Sequence, residues 1–202
     1  MELIAHRRNS IEELQSTQSK YGVEVDIRSY VDDLVIHHDP FCRGVLFESW
    51  LDLYQHGTLI LNVKEEGLEP RLIAAMEERG IEDYFFLDQS FPFLIKYHEK
   101  ASGRSAVRIS EFESLETALS IKGKAKWAWI DCFTKFPLGK KSLTVLKQAG
   151  YKTCLVSPEL QNRSTKEELQ NFGRLLSDLN IDFDAVCTKH PKAWEALGFA
   201  NG

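Results

Sequence analysis

The chain alternates short runs rich in β-branched and aromatic residues with longer segments of helical periodicity, and it does so eight times in 202 residues. The runs are Glu2–His6, Gly22–Ile27, Thr58–Lys64, Tyr84–Gln89, Ser105–Ser110, Trp127–Cys132, Lys152–Ser157 and Ala185–Lys189. Strands joined by helix-length connections cannot pair as hairpins, so this order predicts a parallel sheet in an α/β fold. Eight strand–helix units at about 25 residues each reach the lower size of a (β/α)8 TIM barrel. Residues 1–202 are therefore expected to form one compact barrel domain, with no large inserted subdomain. A doubly wound open sheet is the main competitor, but its glycine-rich phosphate turn after the first strand is missing. His6-Arg7-Arg8 stands there instead.

Helix punctuation falls between the runs. Ser10 and Glu13 make a capping box, and Pro70 and Gly80 bracket another helix. Gly150 closes a segment built on Leu143, Leu146 and Ala149. A further helix starts at Ser164 or Thr165 and is expected to bury Leu169, Phe172, Leu175, Leu176 and Leu179. Only one short helix, around Phe47–His56, fits between Asp39 and the third run.

Charge limits the partners. With 25 Lys+Arg against 30 Asp+Glu, the net charge of −5 argues against a broad nucleic-acid or anionic-membrane footprint. No basic segment precedes an apolar stretch at the N-terminus, and nowhere do about 18 apolar residues follow one another. The expectation is a soluble, cytoplasmic protein without stable membrane insertion. Cys42, Cys132, Cys154 and Cys187 are scattered, three of them in apolar runs, which fits buried thiols rather than a disulfide or zinc framework.

The polar residues inside the strands carry the functional signal. In Val23-Glu24-Val25-Asp26-Ile27-Arg28 the apolar residues face one way and Glu24, Asp26 and Arg28 the other. Asn62 and Lys64 repeat the pattern, as do Arg108 and Ser110, and Asp131 ends the sixth run. Two carboxylates on one strand face are costly to bury unless a cation or metal compensates them. Most of these residues fall in the C-terminal halves of their strands, where barrel enzymes build active sites, so the mouth would collect His6, Arg7, Glu24, Asp26, Arg28, Asn62, Lys64, Asp88, Arg108, Asp131 and Lys189. That mixture suits a hard metal ion and an anionic substrate. The plainer reading is a salt-bridge lattice closing the barrel top. His6 and His37-His38, on either side of the acidic pair, add candidates for proton transfer. Trp127 and Trp129 offer a stacking wall for a sugar or glycerol group, but their spacing favours packing in the core.

At these residues the sequence resembles the glycerophosphodiester phosphodiesterase family, within the barrel phosphodiesterases that include phosphatidylinositol-specific phospholipase C. The likeness runs through Ala5-His6-Arg7, Val23-Glu24-Val25-Asp26-Ile27-Arg28, Leu34-Val35-Ile36-His37-His38-Asp39-Pro40, Asn62-Val63-Lys64, Gln89-Ser90-Phe91 and Thr188-Lys189-His190-Pro191. It implies a small phosphodiester substrate and a divalent metal, magnesium or calcium with manganese as an alternative, held by Glu24 and Asp26. It implies His6 and His38 as general base and acid, and Arg7 and Lys64 as cations on the phosphate oxygens. Arg108, from the strand alternation, and Lys189, where the chain departs from the family, are expected to add positive charge near the substrate. In such enzymes the attacking hydroxyl can be the substrate's own neighbouring alcohol. The family carries Glu-x-Lys where this chain has Asn62-x-Lys64, so the third metal donor would be an amide oxygen with one charge fewer. Thr188-Lys189 replaces a usual Thr-Asp. The alternative is a catalytically weak or inactive barrel that binds a phosphorylated ligand. A sugar-phosphate lyase or isomerase has only fold analogy behind it.

Overall fold

The computed structural model describes residues 1–163 and 165–199. All eight expected runs form strands: β1 (Glu2–Ala5), β2 (Gly22–Tyr30), β5 (Leu59–Val63), β6 (Tyr84–Leu87), β7 (Ala106–Ile109), β8 (Trp127–Ile130), β9 (Lys152–Val156) and β10 (Ala185–Thr188). Two short strands, β3 (Asp33–Ile36) and β4 (Val45–Leu46), are additional. The helices are α1 (Ile11–Ser16), α2 (Phe47–Leu51), α3 (Glu69–Glu78), α4 (Phe91–Tyr97), α5 (Leu115–Ser120), α6 (Lys140–Gln148), α7 (Lys166–Leu179) and α8 (Pro191–Ala196), with a 3₁₀ turn over Pro158–Gln161. Both of the chain's compact units are α/β: one spans Ala5–Ser105, the other Met1–Ile4 with Ala106–Gly202.

In the unit spanning Ala5–Ser105, β2 pairs parallel with β5 and β5 with β6, while β2 pairs antiparallel with β3 and β3 with β4. Its core gathers Val23, Val25 and Ile27 of β2, Leu59, Leu61 and Val63 of β5, and Phe47, Trp50, Leu72 and Met76 from the helices. Side chains two apart on β2 and β5 thus enter one apolar core, as period-2 patterning requires. The capping box of α1 forms as expected, with Glu13 N donating to Ser10 Oγ and Ser10 N to the Glu13 carboxylate.

In the other unit β7, β8, β9 and β10 form a parallel ladder with β1 beside β10. Trp127 and Trp129 are buried, as expected. Aromatic packing joins Phe136, Phe172, Phe183 and Trp194 edge to face. Helix α7 starts at its Thr165 cap; Ser164, the other proposed start, lies outside the described residues. Phe172 and Leu176 are buried, but Leu175 is 38% exposed, contrary to expectation. At 100° per residue Leu175 falls on the flank of the Phe172–Leu176 stripe, where the partner surface ends. Among the described residues, no helix is long and apolar enough to cross a membrane.

Candidate active site

The site grows from the polar face of β2. Glu24 and Asp26 are fully buried, and Asp26 stands opposite Asn62 in the β2–β5 register. Asn62 Nδ2 donates to Glu24 Oε1 at 2.9 Å, the Arg7 amide donates to Glu24 Oε2 at 2.8 Å, and His6 Nε2 lies 3.7 Å from that same oxygen. Burial, reinforced by the neighbouring Asp26 charge, still pushes the Glu24 carboxyl up to about 7, against the donors from Asn62 and Arg7.

Asp26 is compensated differently. Asn9 grips it twice, donating from Nδ2 to Oδ2 at 2.9 Å and accepting from the Asp26 amide at 3.1 Å. Arg7 Nε lies 3.4 Å from Oδ2 and Lys64 Nζ 3.2 Å from Oδ1, and Lys64 also reaches Asp88 at 3.5 Å. Two non-glycine residues of this cluster hold left-handed backbone, Arg7 at φ 50° and Asp88 at φ 59°. Such conformations cost of order 1–3 kcal/mol and persist where the surroundings enforce them. At Arg7 the result is visible: one residue offers its amide to Glu24 and its guanidinium to Asp26.

His38 lies beyond β3, with its side chain 46% exposed. Its Nδ1 meets Asp39 Oδ1 at 2.8 Å, and its carbonyl accepts from Arg28 Nε at 3.0 Å. The hydrogen bond from His38 holds the Asp39 carboxyl below its ordinary value. A cleft of about 600 Å³ opens here, lined by Asn9, Ser10, His37, His38, Asp39 and Arg43 among others. Arg28 also pairs with Glu65 at 3.5 Å. Asn9 and Asp39 are site residues that strand periodicity does not reveal, because both sit in loops. Their adjacency to His-Arg and to His-His was the available signal.

The donors of a hard cation are present in part. Glu24 and Asp26 contribute carboxylates from one strand face, and Asn62 Oδ1 is buried with no hydrogen-bond partner. Asp26 Oδ1 is likewise buried and meets Lys64 without a hydrogen bond. An amide oxygen left unsatisfied beside two carboxylates fits magnesium or calcium chemistry. Among the described residues no group of three or more His, Cys, Asp or Glu side chains is gathered for a metal.

Arg108 and Lys189 belong to the unit built on β7–β10. Arg108 is committed to Asp131 at 2.6 Å and lies 3.8 Å from Glu113, and Asp131 also accepts from Gln161. The Lys189 side chain is exposed, while its amide donates to the buried Glu159 at 3.0 Å. Thr188 and Ser157 hydroxyls also donate to Glu159, so this carboxylate ties the ends of β9 and β10 together.

No family model and no curated protein sequence matches the chain. Solved structures do. A glycerophosphodiester phosphodiesterase from Agrobacterium tumefaciens superposes with TM-score 0.69 at 12% identity, over 99% of this chain and 100% of that one. A glycerophosphoryl diester phosphodiesterase from Parabacteroides distasonis gives 0.70 at 14% identity, over 98% and 86% respectively. Across nearly its whole length, then, the chain has the fold of the glycerophosphodiester phosphodiesterases.

Proposed function

We propose that the chain is a phosphodiester hydrolase, acting in the cytoplasm on a small glycerophosphodiester-like substrate with a divalent metal. The observation that carries this reading is the fully buried Glu24–Asp26 pair, ringed by Asn62, Arg7, Lys64 and His6. Two buried carboxylates with cationic and amide neighbours make a poor apolar core and a good seat for a cation and a phosphate. Glu24, Asp26 and Asn62 would hold magnesium, calcium or manganese. When bound, the ion supplies positive charge to the phosphate oxygens as negative charge grows on them.

The chain's own residues do the rest. Arg7 and Lys64, both on Asp26, draw the phosphate by charge. One imidazole of the pair His6 and His38 takes the proton of the attacking hydroxyl as its oxygen bonds to phosphorus. The other gives a proton to the leaving alkoxide as the second P–O bond breaks. The Asp39 carboxylate at Nδ1 orients the His38 ring, leaving Nε2 as the atom that exchanges the proton.

A second reading, a weak or inactive barrel binding a phosphorylated ligand, draws on Asp26 already being paired with Arg7 and Lys64. Hydrolysis of a panel of phosphodiesters, from glycerophosphocholine to nucleotide diesters, with each metal or with chelator, separates the two. The expected result is metal-dependent turnover that His38→Ala lowers by about 10²–10⁴-fold while the fold persists. Unchanged turnover removes His38 from the mechanism. No turnover of any diester, with no metal bound, favours the binding protein.

A further inference from the structure

A second anion-binding arrangement lies in the unit built on β7–β10, in the loop after β8. Three successive amides point at one carboxylate. Phe133 N donates to Glu111 Oε2 at 3.1 Å, Thr134 N to Oε1 at 2.7 Å and Lys135 N to Oε1 at 2.8 Å, and the Thr134 hydroxyl adds a fourth bond at 2.8 Å. Consecutive N–H groups converging on one point form a concave nest whose partial positive charge suits an oxyanion. Burial alone would raise the Glu111 carboxyl, yet the Lys135 and Thr134 amides outweigh it and pull it down to about 2.

Both loops are built to present this geometry. Ser110 Oγ donates to Glu113 Oε2 at 2.8 Å and accepts from the Phe112 amide at 3.1 Å, folding the turn that carries Glu111. On the other loop the Cys132 amide is held by Asp131 Oδ1 at 2.9 Å, and the Cys132 carbonyl accepts from Arg163 at 3.3 Å. Those bonds account for the start of the loop, so the next three amides are left to serve the anion alone. Thr134 and Lys135 are exposed, so an external anion can reach the nest.

We propose that Phe133–Lys135 form a binding site for a phosphate group, free or as a monoester, and that Glu111 occupies it in the ligand's absence as an internal stand-in. A phosphate dianion presents three oxygens to the four donors where the carboxylate presents two, and so can displace it. Displacement frees the Glu111 turn from the β8 loop, coupling ligand binding to the release of that contact.

The test is titration of the full chain with inorganic phosphate, followed by the amide NMR shifts of residues 133–135, with chloride at equal ionic strength as control. Native protein should show a saturable response specific to phosphate, and Glu111→Ala should bind at least about tenfold tighter because the internal competitor is gone. Adding Thr134→Val should weaken that binding, which attachment to the Lys135 side chain alone would not do. If Glu111→Ala does not fold, Glu111→Gln, which keeps an acceptor of the same length, gives the same reading with a smaller gain. No saturable shift in the folded variant, equal affinity in native and variant, or an equal response to chloride overturns the proposal.

Discussion

No solvent reaches the Glu24 carboxyl. Its ordinary value of 4.5 is raised to about 7 in the fold, so the native state favours the protonated form. Its contribution to stability is therefore complete below about pH 4.5 and disappears as pH rises through about 7. The shift corresponds to roughly 3 kcal/mol as an order of magnitude. Urea unfolding between pH 5 and 8 should show stability declining with pH, and Glu24→Gln should flatten that decline; an equal slope in the variant would mean that other groups carry it. Glu24, Asp26, Asn62 and Lys64 were legible from strand alternation alone. The double use of Arg7, through backbone and side chain, was not, because a left-handed backbone at a non-glycine residue leaves no mark in the residue type.

At the scale of elements, the eight parallel strands follow from periodicity, but β3 and β4 do not. The second run is expected to end at Ile27, whereas β2 continues to Tyr30 and turns back through Val31, whose φ is 57°. The β3–β4 pairing then brings the loop carrying His37 and His38 over the cleft. Gly44 closes that loop: a Cβ there would lie 2.2 Å from the Ile36 carbonyl oxygen, and backbone cannot yield as a flexible side chain does. Gly44→Ala should cost about 1–3 kcal/mol in chemical denaturation, typical of overpacking, and lower turnover by shifting His38. Unchanged stability would show that the loop relaxes freely.

For the whole molecule, the proposed metal would be linked to the fold by mass action, since an ion bound to the native state alone raises stability with its concentration. Magnesium or calcium should raise Tm, and more at pH 8 than at pH 5.5, because binding requires Glu24 to shed its proton. Asn62→Glu should increase the metal-dependent rise and tighten binding measured by calorimetry, through one more anionic oxygen. Unaltered affinity would put Asn62 outside the coordination set. The eightfold strand–helix order, the parallel pairing and the acidic face of β2 were determined by the sequence itself, since residue period and connection length act locally. The partners of those acids were decided only by the tertiary structure. Asn9 on Asp26, Asp39 on His38 and Glu111 in the amide nest all depend on loop paths. Those paths are set by contacts between residues distant in the chain and by single backbone angles, neither of which a local pattern of residue types encodes.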